Sequence, residues 1–406
     1  MQPSKTRRPR DRKSQLAAVA AELFRARGYY GVGINDIAAA AGITGPALYR
    51  HFADKQAVLS YVLLSAVGDM EAETTAALSA LSSPSGEQVD ELLSRIASAS
   101  VERRDVAALW RWEGRHLSAQ DQREIGKKSS AILTSWAKVL LDVRPELDAA
   151  DAELLCWAAL SVYGSVSVHR TTVPKRRFVQ LLVELAKRVL SADLPPQADV
   201  VEPVAALGVG TPSRREQLMT EAAELFRQRG FHAVSMEDIG SAAGIAGPSV
   251  YRHFPSKANL VYAIGRRAAD RLALAADEVL RRSPDEASAL RGLVDSYVQV
   301  LTGSAELTVS FAVDGVNFAE AERADLLRTQ REYVGRWVNL LCAARPELPP
   351  KEAKITVHAA LTIANDLART RRVAGRPNLS AELRTLMEAA LHVAGDLTRG
   401  NLLTSR

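Results

Sequence analysis

Residues Gln15–Lys55 read QLAAVAAELFRARGYYGVGINDIAAAAGITGPALYRHFADK, and Gln217–Lys257 read QLMTEAAELFRQRGFHAVSMEDIGSAAGIAGPSVYRHFPSK, with 24 of 41 positions identical and no gap. A weaker echo continues at an offset of 201, where Trp136 meets Trp337 and Arg144-Pro145-Glu146-Leu147 meets Arg345-Pro346-Glu347-Leu348. The first half of the chain has therefore been duplicated. In the first copy Leu16, Ala20, Leu23, Phe24 and Arg27 follow helical spacing, and Gly28 is placed to stop the helix; Leu218, Ala222, Leu225, Phe226 and Gly230 repeat this. Further on, Ile37–Ile43 leads through Gly42 into Thr44–Phe52. A glycine there supplies the positive φ of a sharp turn between two short helices, and Thr44 is placed to cap the second. The pattern is a helix-turn-helix.

On the second short helix Leu48 and Phe52, at i and i+4, face the core, and Pro46 is tolerated in the first turn. Ala47, Tyr49, Arg50 and His51 are left facing outward, where they suit DNA. The next helix starts at Asp54 with Lys55, and at Ser256 with Lys257. A cation at that end opposes the helix dipole, so a phosphate held against the lysine and the free amides is the reading that explains its double occurrence.

Around these motifs the pattern stays helical. Ala150–His169, Arg177–Leu190, Glu352–Arg371 and Ala381–Thr398 are long and rich in Leu and Ala, and no alternating strand pattern competes. Ser191–Ser213, full of Pro, Gly and small residues, reads as a linker. The expected organisation is a basic arm over 1–13, a first head over 14–60, a first body over 61–192, a linker over 193–212, a second head over 213–262 and a second body over 263–400.

Composition narrows the class of function. The 406 residues are 47% apolar and 24% charged, no run approaches the ~18 uninterrupted apolar residues of a membrane span, and the charged start precedes no secretory core. The expectation is a soluble cytoplasmic protein with no membrane partner. The formal charge of +5 is held by the first thirteen residues, through Lys5, Arg7, Arg8, Arg10, Arg12 and Lys13 against Asp11. Beside a DNA-reading module such an arm suits phosphate or minor-groove contact. Cys156 and Cys342, too few for a disulfide framework or a zinc site, read as two buried small hydrophobes. No GxSxG, HExxH or Walker loop is present, so neither an enzyme nor a cofactor is expected. A helical interaction protein that binds a protein partner or an acidic surface is the alternative, as is a chain with one working head and one degenerate one.

Both blocks resemble the N-terminal DNA-binding segment of the TetR (TetR/AcrR) family of bacterial transcriptional repressors. The resemblance implies an all-α fold of two units. It makes Thr44–His51 and Ala246–His253 the recognition helices, including Gly45, Gly247, Ser249 and Arg252. It puts Tyr49, His51, Lys55, Tyr251, His253 and Lys257 on phosphates, with Arg7, Arg8 and Arg10 from the arm. It also implies bodies that pair through their last two helices and hold a small hydrophobic effector. Ordinary members carry one unit and pair as homodimers, so two units in one chain imply a single-chain pseudo-dimer closed by an intrachain four-helix bundle, with higher oligomers on DNA left open. Two-unit chains are similar to actinobacterial regulators of lipid uptake, including repressors of mycobacterial mammalian-cell-entry import operons.

The two heads differ where they would read bases: Thr44, Ala47 and Leu48 become Ala246, Ser249 and Val250. The expected operator is double-stranded DNA with unlike half-sites. In the bodies, Trp110, Trp112, Glu113 and His116 are one candidate pocket lining, and Phe311, Asp314, Asn317 and Phe318 the other, with plain core packing the competing account of the aromatics.

Overall fold

A computed structural model describes residues 12–79, 86–104, 109, 114–196, 213–310, 318–370 and 372–393. Every regular element among them is helical, and none of the described helices is long and apolar enough to cross a membrane. The chain divides into two compact units, 1–139 and 140–406. The first holds α1 (Arg12–Arg27), α2 (Ile34–Ala40), α3 (Gly45–Tyr49), α4 (Lys55–Ser79), α5 (Gly86–Glu102) and most of α6 (Ala119–Val143). The second begins with the last two helices of the first copy, α7 (Ala149–Gly164) and α8 (Lys175–Leu190). It continues through α9 (Arg214–Arg229), α10 (Met236–Ala242), α11 (Gly247–Val250), α12 (Lys257–Arg282), α13 (Glu286–Gly303) and α14 (Ala305–Ser310). It ends with α15 (Glu320–Ala344), α16 (Pro350–Arg369) and α17 (Leu379–Leu391).

The division does not follow the linker, and the reason lies in two helices. In α7 nine of sixteen residues are buried, from Ala152 to Tyr163, and in α16 twelve of twenty. Helices so apolar on several faces must be covered by other helices. The second unit does this by packing α7 against α8 and α16, α16 against α17, and α17 against α8. The expected intrachain four-helix bundle is thus formed from two helices of each copy.

Reciprocal ion pairs tie the bundle across the copies. Arg177 of α8 donates Nε and Nη2 to Glu352 of α16 at 2.9 and 2.7 Å. Arg376, ahead of α17, bonds Asp151 of α7 and meets both oxygens of Glu382 at 2.9 Å through Nε. Asp151 and Glu352 lie 201 residues apart, so the same repeat position meets an arginine of the other copy on each side, as in a two-fold interface. The arginines come from unmatched positions, 177 and 376, so the symmetry is approximate. The duplicated Arg-Pro-Glu-Leu also finds its reason. Arg144 Nη1 donates to the carbonyls of Leu190 and Ala192 at 2.7 and 3.1 Å, and Arg345 Nη1 to that of Leu391 at 3.4 Å. Each arginine satisfies carbonyls left open at the end of its own copy's last helix.

Element ends differ from expectation in identifiable ways. The helix expected over Ala150–His169 stops at Gly164 and passes into a 3-10 turn, Ser165–Ser167. The helix expected to run on to Thr398 ends at Leu391, because His392 takes the left-handed conformation with φ 58° and ψ 49°; residues 394–398 lie outside the described residues. Cys156 is buried, which pushes its thiol up to about 12, whereas Cys342 is only half-buried.

Inside the bundle the rings of His169 and His358 lie 4.9 Å apart. Burial, assisted by Lys354, pushes the His358 imidazole down to about 4 from its ordinary 6.5. The folded state then binds fewer protons than the unfolded chain between those values. Stability rises with pH through that window, is complete above it, and is lost as pH falls towards 4. Over the full window the loss is about 3 kcal/mol. Denaturant titrations between pH 4 and 6.5 should show this slope for the second unit. His358→Phe should flatten it, and an equally steep slope in the variant would remove His358 as its source.

Candidate nucleic-acid interface

The two heads share one backbone plan. Gly28 and Gly230 end the first helices at φ 69° and 79°, and Gly42 and Gly244 turn the chain into the second short helix at φ 67° in both. Those torsions are open to glycine at little cost. The next glycine lets the two short helices cross closely: a Cβ on Gly247 would stand 3.0 Å from Glu237 Cγ, and one on Gly45 would stand 2.7 Å from Asn35 Oδ1, so either side chain would have to give way. Below this crossing Leu48 and Val250 are fully buried, with Phe52 and Phe254 beside them. The same turn therefore holds the opposite face outward. Tyr49 is 53% and Tyr251 48% exposed. Thr44, Arg50, Ala246 and Arg252 are exposed, while Gly45, Ala47, His51, Gly247, Ser249 and His253 are half-buried.

The caps match expectation with one exception. Asp54 Oδ1 accepts from Ala57 N at 2.7 Å, and Ser256 Oγ from Asn259 N at 3.1 Å. Thr44 occupies the cap position with extended torsions, yet its side chain makes no capping bond. Its exposed hydroxyl is not used to start the helix.

The helix-start lysines have a use that spacing alone did not suggest. Lys55 Nζ donates to the carbonyls of Tyr29 and Val32 at 2.8 and 2.9 Å and stands 4.2 Å over the Tyr29 ring. Lys257 Nζ donates to Phe231 and Val234, both at 2.7 Å, and stands 4.3 Å over the Phe231 ring. Where a phosphate was expected to recruit these cations, both are drawn onto the loop between the first two helices of their own head. Burial lowers the pKa of Lys257, and Asp238 works against that. The readable signal was the aromatic retained at positions 29 and 231 along with the lysine.

Flanking cations also brace the heads. Lys13 Nζ lies 5.2 Å from the Phe52 ring and 4.9 Å from that of Tyr61. Arg214 Nη1 donates to the Ala243 carbonyl at 2.9 Å and Arg215 Nη1 to that of His253 at 3.0 Å. Arg7, Arg8 and Arg10 lie outside the described residues.

Two residues expected to line effector pockets make contact with the heads. The turn Gly114–His116 lays the His116 ring flat on Tyr29, 4.8 Å away and 12° from parallel, and Gln56 Nε2 donates to its carbonyl at 2.7 Å. Phe318 packs on the core of the second head, alongside Ala305 and Val309. Trp110, Trp112, Glu113, Phe311, Asp314 and Asn317 lie outside the described residues. Carboxylates at the start of α6 and α15 form the joint between head and body, which sequence reasoning missed. Asp121 accepts from Ser60 and Ser118 at 2.6 and 2.7 Å, and these bonds hold its carboxyl below the usual range. In the second unit Glu322 accepts from Asn259 at 2.9 Å, and Asp325 from Tyr262 and Arg266 at 3.0 Å each.

Replacing either lysine leaves two half-buried carbonyls without their donor. Lys55→Met and Lys257→Met should each lower the unfolding free energy by about 1–3 kcal/mol, as measured by urea titration. Unchanged midpoints in both variants would reduce the clasp to a surface contact.

Residues 16–62 and 218–264 both match the family described as bacterial regulatory proteins, tetR family. An 84-residue stretch is 38% identical to the HTH-type transcriptional activator FasR of Mycolicibacterium smegmatis, covering 21% of this chain and 38% of that protein. A 148-residue stretch is 30% identical to the HTH-type transcriptional repressor KstR2 of Rhodococcus jostii, covering 36% of this chain and 69% of that protein. A solved TetR-family transcriptional regulator from Bordetella parapertussis aligns with a TM-score of 0.39 at 20% identity, over 44% of this chain and 95% of the other. Matched twice by the family pattern, and aligned at 30% identity over more than two thirds of KstR2, this chain belongs to the tetR family of bacterial regulatory proteins and carries two such units.

Proposed function

We propose that the chain is a cytoplasmic transcriptional repressor that binds double-stranded DNA as a single-chain pseudo-dimer. Its two unlike heads read an imperfect or non-palindromic operator. The observation that carries the reading is the pair of outward Tyr-Arg-His faces, at 49–51 and 251–253, each mounted on a buried Leu/Val and Phe scaffold. A surface that bound acidic partners by charge alone would not need that scaffold twice. The bundle supplies the pairing that a homodimer obtains from a second chain. Tyr49, Arg50, His51 and Thr44 are assigned to the first half-site, and Ser249, Tyr251, Arg252 and His253 to the second, with Arg7, Arg8 and Arg10 on phosphates of the first.

Release by a small hydrophobic effector completes the proposal, with a lipid-uptake operon as the target class. Support for a route from body to head comes from the carboxylate joints at Asp121 and at Glu322 and Asp325, which tie α4 and α12 to the body helices. A coupling of about 1–3 kcal/mol through such joints is ordinary for regulated binding.

The test is selection of bound genomic fragments followed by salt-titrated affinities, on the wild type, Tyr49→Ala/Arg50→Ala and Tyr251→Ala/Arg252→Ala. One asymmetric site should be enriched by the wild type, and each variant should lose about 5–150-fold in affinity for it, the range of one good arginine–base contact. A perfect palindrome preferred over all asymmetric sites would overturn the unlike-heads reading. Weak binding without enrichment, gone above moderate salt, would overturn sequence readout altogether.

A further inference from the structure

The outward faces of the two heads differ in how their arginine is held. In the second head Arg252 Nη2 donates to Ser249 Oγ at 3.1 Å, between positions three apart on the recognition segment. The first head has Ala47 at the matching position, which offers Arg50 no hydroxyl. The far end of the segment is braced unequally too. Arg215 bonds the His253 carbonyl at 3.0 Å with its guanidinium 4.3 Å over the Phe254 ring, whereas the matching Lys13 lies over the Phe52 and Tyr61 rings at 5.2 and 4.9 Å.

We propose that Ser249 is a specificity-positioning residue: it holds the Arg252 guanidinium ready for a guanine edge, so that the second head reads its half-site more strictly than the first. This rests on the DNA-reading function proposed above. An arginine presents five N–H donors in a planar fork, and Ser249 engages only one. Arg252 is exposed, so its remaining donors are open to a guanine, whose O6 and N7 accept two parallel bonds in the major groove. A free arginine loses rotamer freedom when it is fixed at an interface, and one already held by a neighbour has lost part of it before binding. Arg50 pays this in full on the DNA, so the first head tolerates more bases at its arginine position.

The experiment uses the full chain and a randomised operator, with wild type, Ser249→Ala, Ser249→Thr, Arg252→Ala, the Ser249→Ala/Arg252→Ala double variant and Ala47→Ser. Titrations then compare guanine with 7-deazaguanine at the enriched position of each half-site. Ser249→Ala should lower discrimination for guanine in one half-site by about 3–10-fold, a part of the roughly 5–150-fold a bidentate arginine–guanine pair supplies. The salt slope should stay unchanged, since no phosphate contact is lost. Ser249→Thr, which keeps the hydroxyl, should retain discrimination, and Ala47→Ser should sharpen the other half-site. Adding Ser249→Ala to Arg252→Ala should cost nothing further, because the serine acts through the arginine. Wild-type discrimination in Ser249→Ala, or losses that multiply in the double variant, would overturn this inference and leave the proposed function standing. A wild type that enriches no sequence would overturn the proposed function, and this inference with it. Arg252 is exposed and Ser249 only half-buried, and matching thermal melts confirm that the variants fold.

Discussion

The apolar surface of α7 and α16 constrains everything else in the second unit. Leu154, Leu155, Ala158, Ala159 and Val162 on one helix, and Ile355, Val357, Ala360, Ile363 and Ala364 on the other, are fully or almost fully buried. Exposing one large aliphatic side chain of this kind costs about 1.5–3 kcal/mol, so a handful exceeds what a domain can spare. Neither hairpin can stand in water by itself. In a protein of one unit the cover must come from another molecule; here the duplicated half of the same chain supplies it. Arg177 with Glu352, and Arg376 with Asp151 and Glu382, then fix how the hairpins meet, because a charge removed from water needs its partner in place.

Within each head a different constraint operates. Short helices such as α3 and α11 hold too few residues to persist alone, and their geometry comes from packing. Leu48 and Val250 anchor them from below, glycines permit the turn and the close crossing, and a half-buried lysine on the loop carbonyls secures the frame from the side. Such a frame leaves the outward positions free to vary without altering the fold. Positions 44 and 47 do vary between the copies and the buried anchor changes only from Leu48 to Val250, whereas the frame positions 42, 45, 52 and 55 repeat unchanged at 244, 247, 254 and 257. The duplication has kept the scaffold and the Tyr-Arg-His face, and changed the positions beside that face at 44 and 47.

Much of this was legible from residues alone. The repeat, the helix-turn-helix, its glycines, the inward Leu48 and Phe52 and the outward Tyr49 and Arg50 follow from short-range rules, in which a glycine torsion or an i, i+4 spacing has few alternatives. The bundle helices were legible because their composition runs apolar for four turns or more. Other features had no local signature. The clasp of Lys55 had no such signature, because sequence shows the helix that the lysine opens and cannot show that the carbonyls of Tyr29 and Val32 lie within reach. The stacking of His116 on Tyr29 had no local signature either, being made across 87 positions of chain. Asp121, Glu322 and Asp325 carry no local signature of the joint until Ser60, Asn259 and Tyr262 are brought to them.

The sequence by itself determined that the chain is helical, that it carries two helix-turn-helix heads, and which side of each recognition helix faces out. Periodicity and turn chemistry act over a few residues and are written in order along the chain. Only the tertiary structure decided which partners meet: that α7 and α8 join the second copy in one compact unit, that Arg144 and Arg345 close the last helix of their own copies, and that the lysines clasp loops. These contacts join residues tens to hundreds of positions apart. Many side chains are chemically able to fill each place, so the choice among them is made by packing and not by pattern.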